Sequence, residues 1–150
     1  MIRAIDIANW FLSKESMTHK KLQKLCYYAQ AWYCTLYDGT PLFLDRIEGW
    51  VHGPVIPSIY PSYADFRWNA IPRIECEIPA LPDKVTSLLD AVYETYGDLT
   101  GDQLERLTHN EDPWINSRKG FEPWEPGTNE ILCSDMREYY GKKYKESQND

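Results

Sequence analysis

Basic charge is scarce in this sequence: 16 Lys and Arg stand against 23 Asp and Glu, for a formal charge of −7. That balance opposes phosphate binding, where affinity comes largely from cationic side chains releasing counterions. It favours encounter with a basic protein instead. Long apolar runs are missing as well. No stretch of about 18 residues could span a bilayer, and Asp6, Asn9 and Lys14 break up the opening residues where a secretory signal would be apolar. Cysteine is sparse: Cys26, Cys34, Cys76 and Cys133 include no Cys-x-x-Cys pair. If Cys26 and Cys34 share a helix they lie about 12 Å apart, too far for a disulfide, which needs Cα atoms within about 7 Å. The expectation is free, mostly buried thiols in a reducing cytoplasm. Phosphate-binding glycine loops, H-E-x-x-H and G-x-S-x-G are all absent. Kinase, dehydrogenase and hydrolase readings thus lack their usual parts, and neither cofactor nor metal is expected.

Aromatics, in contrast, are abundant: 6 Trp and 11 Tyr among 150 residues. A chain of this length buries roughly 70% of its unfolded surface around one core, so residues 1–150 are read as a single domain whose end, Lys145 to Asp150, frays.

Helical spacing of Ile2, Ile5, Ala8, Phe11 and Leu12 predicts a first helix. Thr18 is placed to cap a second, with Met17 and Leu22 as its hydrophobic staple and Asp38-Gly39 as its stop. That second helix carries apolar residues on two sides, which marks a central position. Seven glycines and prolines between Pro41 and Pro72 exclude long helices there, although a short one can follow Pro54. Alternation of Ile74, Cys76 and Ile78 with Glu75 and Glu77 predicts a short strand. Asp83 is a candidate cap for a further helix ending at Gly97, and Thr100 with Gln103 forms a capping box. Trp114, Phe121 and Trp124 are expected in a loop, and Ser134 as the cap of a last helix bearing Met136, Tyr139 and Tyr140. The fold class is α+β, mainly α-helical, with a small β element.

Three stretches stand out: KLQKLCYYAQAWY from Lys21 to Tyr33, GWVHGPVIPSIY from Gly49 to Tyr60, and LTHNEDPW from Leu107 to Trp114. In order and spacing they resemble the Panacea antitoxin domain of SocA-like and GepA-like bacterial and phage proteins. The resemblance covers nearly the whole chain. It implies a mostly helical module that neutralises a cognate protein toxin, the product of an adjacent gene, by direct contact. Two positions depart from the family pattern. Gly49 stands where the family usually has Ala, and Pro61 where it usually continues a helix.

Candidate contact residues are Trp50, His52, Pro54, Tyr60, His109 and Trp114, each of which could equally build the fold. Two other functions are carried alongside. One is a DNA-binding repressor using the Lys20 to Lys24 patch. The other is a hydrolase with His52 as general base, which would need a nucleophile that no motif supplies. His109 could instead close a helix C-terminus, and Glu111 with Asp112 is too small a cluster to imply a metal. Neither membrane nor nucleic acid is an expected partner.

Overall fold

The 18 residues from His19 to Leu36 form a helix, α2, whose buried side chains face in nearly every direction. Such a helix must be covered on all sides. It is packed by α1 (Ala4–Lys14), α4 (Asp83–Tyr96), α5 (Gly101–His109) and α7 (Cys133–Gln148). The computed structural model describes residues 1–149, and one contiguous hydrophobic core runs through these helices. Asp150 lies outside the described residues.

Local chemistry sets the helix starts. Thr18 accepts a bond from the Lys21 backbone N–H at 3.2 Å, as an N-cap should. Thr100 and Gln103 form the expected capping box. Two other caps differ from expectation. Pro82, not Asp83, precedes α4, and Asp83 sits in its first turn, where a carboxylate still favours the helix dipole. Leu132 precedes α7, leaving Ser134 inside it.

Two small antiparallel ladders complete the fold. Met17–Thr18 (β1) pairs with Ala70–Ile71 (β4), and Glu48–Trp50 (β2) with Gly53–Val55 (β3). Pro54 lies opposite Gly49 in the second ladder. A proline has no N–H to donate, which is tolerated at an edge. The Gly49 N–H turns the other way and donates to Asn129 O at 2.9 Å. Gly49 leaves room for Ser117: a Cβ there would overlap its Oγ. Pro61 fits because a one-turn helix, α3 (Tyr60–Tyr63), starts at that point and needs no donor from it.

Several expectations are corrected. Residues 74–78 form no strand: they run beside the helix α1, which offers no ladder to pair with, and the Ile74 N–H donates to Leu12 O at 2.9 Å. Trp114 is helical, in α6 (Asp112–Ser117), because Pro113 near its start suits a first turn. Lys145 to Gln148 lie within α7. Cys34 and Cys133 form a disulfide with Cα atoms 6.3 Å apart, joining α2 to α7 across a sequence separation of 99. Spacing along one helix could not reveal a partner so distant in sequence. Cys26 is free and buried, while Cys76 is free and exposed. The free-thiol argument for a reducing compartment therefore fails for the bonded pair.

A buried carboxylate locks the centre. Glu111, 4% exposed, accepts on Oε1 from Tyr28 at 2.7 Å and from Tyr140 at 2.8 Å. Tyr140 has spent its proton, so Tyr27 donates to the Tyr140 oxygen, 3.0 Å away. Burial raises the Glu111 pKa, against the pull of the two phenols. The network ties α2, α7 and the α5–α6 junction together.

Candidate functional site

The first motif works through its glutamines. Gln30 accepts from the Leu42 N–H at 2.7 Å and donates to Phe43 O at 2.7 Å, pinning the chain after α2. Gln23 treats β3 the same way: its Oε1 accepts from the Ile56 N–H at 2.8 Å. That bond fixes the amide orientation, so Gln23 Nε2 must donate to His19 Nε2, 3.0 Å away. The His19 nitrogen is therefore unprotonated. Burial, with Lys24 adding to it, lowers the His19 pKa to about 4.

The second motif is the β2–β3 hairpin. Gly53 has φ +114°, a value that favours glycine, and a Cβ there would come within 2.7 Å of Lys24 Cε. The hairpin thus closes directly over Lys24. Its turn projects His52, whose side chain is 72% exposed and whose Nδ1 lies 3.2 Å from Glu105 Oε2.

The third motif supports the hairpin from behind. Trp114 Nε1 donates to Trp50 O at 2.8 Å, and the His109 ring stacks on Trp114 at 3.9 Å. His109 bonds to the Val51 backbone, and burial lowers its pKa. Its Nε2 is buried without a partner, as a neutral ring allows.

Between α2, the hairpin and α3 lies a half-open cleft of about 460 Å³. Trp50 and Tyr60 wall it, with ring centroids 5.1 Å apart, and Tyr60 also packs on His19. Arg67 and residues 126–128 complete the rim. Of the six candidate residues, Trp50, His52 and Tyr60 line this cleft. Pro54 is buried, and His109 with Trp114 braces the hairpin from the far side.

A family model described as Antitoxin SocA-like, Panacea domain, matches residues 22–115. The chain belongs to this family. No curated protein and no solved structure matches it. The Panacea match takes in all but the first residue of the first motif, the whole hairpin, and the third motif through Trp114. It leaves out α1 and α7, which nevertheless pack on α2. Membership makes this an antitoxin-like domain and points, in general, to a toxin as its partner.

The Panacea fold also rearranges the basic patch expected at the start of α2. Lys24 is 2% exposed, and His19 is buried. Lys20 is paired with Asp102 at 2.8 Å and Glu105 at 2.7 Å, and Lys21 donates to Gly97 O at 2.5 Å. These cations do not form an open phosphate-binding face. His52 has an orienting carboxylate in Glu105, but among the described residues no hydroxyl or thiol bonds to it.

Sequence reasoning missed the pocket floor of His19, Gln23 and Lys24. Their i, i+4 and i+5 spacing on one helix was the available signal. It also passed over two indoles. Trp68 is 80% and Trp124 74% exposed, each within two residues of a segment lining the cleft. No helix of the described residues is long and apolar enough to cross a membrane.

Proposed function

We propose that this chain is the antitoxin of a bacterial or phage toxin–antitoxin pair, acting in the cytoplasm by direct contact with a protein toxin rather than by catalysis. The 1–150 chain acts as one unit in this reading, and the toxin is encoded by the adjacent gene. Family membership supports this role. The observation that supports the cleft face as the contact is the aromatic pair lining it, Trp50 and Tyr60, with exposed indoles at Trp68 and Trp124 close in sequence to its rim. Tyr60 is 38% exposed, and Trp68 and Trp124 are exposed far more than indoles usually are. Trp and Tyr are the side chains that most often dominate protein interfaces. The acidic surface adds long-range attraction to a basic toxin. Binding there would occlude the toxin's working surface.

The test is growth rescue. The neighbouring gene is expressed from an unrelated promoter, so that repression cannot explain a rescue. Arrest by the neighbour, recovery on co-expression and a co-purified complex are the expected results. A harmless neighbour, or rescue without association, contradicts the proposal.

A further inference from the structure

The cleft has a lysine floor whose ammonium no carboxylate of the protein pairs. Lys24 is 2% exposed and lines the cavity beside Gly53. Among the described residues its ammonium makes no hydrogen bond or ion pair, and it opens onto the cleft rather than being sealed from it. The nearest carboxylate, Glu105, is already occupied: Oε1 by Lys20 at 2.7 Å and Oε2 by His52 at 3.2 Å. A buried cation without a partner is costly and is ordinarily paired. The walls above it are apolar and aromatic, from Trp50, Val55 and Tyr60.

We propose that this cleft is a binding site for a carboxylate carried on an apolar or aromatic body, with the carboxylate on Lys24 and the body between Trp50 and Tyr60. One buried ammonium matches a single negative charge. On the floor itself Lys24 stands alone, because His19 is held neutral by Gln23 and Lys20 is engaged by Asp102 and Glu105. With Arg67 on the rim, phosphate is the competitor that the test must include. Burial, reinforced by Lys20 and opposed by Glu105, brings the Lys24 pKa down to about 7, so an arriving carboxylate restores the charged form. The carboxylate could belong to a free small acid or to the C-terminus of a bound peptide; the recognition chemistry is the same. The site stands whether or not the partner is a toxin.

The probe is N-acetylphenylalanine, titrated against the full chain and followed by Trp fluorescence and by NMR. Its amide is the uncharged control, and inorganic phosphate is a competitor. Saturable binding of the acid, at least roughly tenfold tighter than the amide, is expected. Lys24→Met, which keeps the length and removes the charge, should abolish that preference while melting no lower than wild type. Wild-type protein gives a second reading that needs no variant. The Lys24 methylene resonances should titrate at higher pH with the acid bound, and unchanged with the amide. The groups facing Lys24 in that titration are His19 and Lys20 on α2, His52 in the hairpin turn, Glu105 and His109 on α5, and Arg67 on the rim. Equal binding of acid and amide, an unmoved Lys24 titration, or stronger competition by phosphate would overturn the proposal. To separate the two sources, a peptide with a free C-terminal Phe is compared with N-acetylphenylalanine. A tighter peptide assigns the site to a chain end, and an excluded peptide assigns it to a small acid.

Discussion

Trp114 Nε1 donates to the backbone oxygen of Trp50 at 2.8 Å, so the third motif braces the second. The same indole carries the stacked His109 ring, which is bonded to Val51. A residue used this way is a brace for the hairpin.

Trp114→Ala should therefore cost about 3 kcal/mol or more of folding stability. Trp114→Phe keeps an aromatic ring against His109 but leaves the Trp50 oxygen short of a donor, for a cost of about 1–2 kcal/mol. Urea titrations of both variants measure the two losses. Wild-type stability in Trp114→Ala would remove the brace from the account.

His19 should give the protein an acid-sensitive step. Its folded pKa, about 4, lies below the ordinary value of 6.5. The unfolded chain therefore takes up the proton first, and stability present above pH 6.5 is lost as pH falls towards 4. The contribution is of the order of 3 kcal/mol. Glu111, with its raised pKa, works in the opposite sense nearby. The difference between wild type and His19→Phe isolates the histidine. Melting temperatures measured from pH 7 to 4 should show a shallower fall in the variant, and parallel curves would contradict the neutral, hydrogen-bonded His19.

The link between Cys34 and Cys133 closes a loop across a sequence separation of 99 in a chain of 150 residues. Loops of that size restrict the unfolded state by about 4–5 kcal/mol in the chain-entropy account. Thiol titration in denaturant should find the two free cysteines, Cys26 and Cys76, before reduction and four after it. Reduction should also lower the melting temperature. Four thiols without reductant would contradict the pairing.

The central helix was legible because Thr18, Met17 and the two-sided apolar pattern are local signals that tertiary packing reinforces. The capping box at Thr100 was legible for the same reason. The bonded cysteines were not, because their pairing depends on how α7 docks on α2. Residues 74–78 alternate like a strand, yet a strand needs a partner that alternation cannot reveal. At the site, Trp50, His52 and Tyr60 could be named from the second motif. Lys24 could be read only as part of the Lys20 to Lys24 patch. Only the approach of Gly53 shows that the hairpin buries it.

Direct contact through the cleft face is the central claim, and a binding titration of the neighbouring gene's product against three variants tests it most directly. His52→Ala, Tyr60→Ala and Trp68→Ala alter side chains that reach the surface. Each should melt close to wild type. Tyr60→Ala and Trp68→Ala should each weaken the complex by about thirtyfold, the loss expected of an aromatic hot spot at 2 kcal/mol, and His52→Ala by less. Native affinity in all three well-folded variants would place the toxin elsewhere and contradict the account.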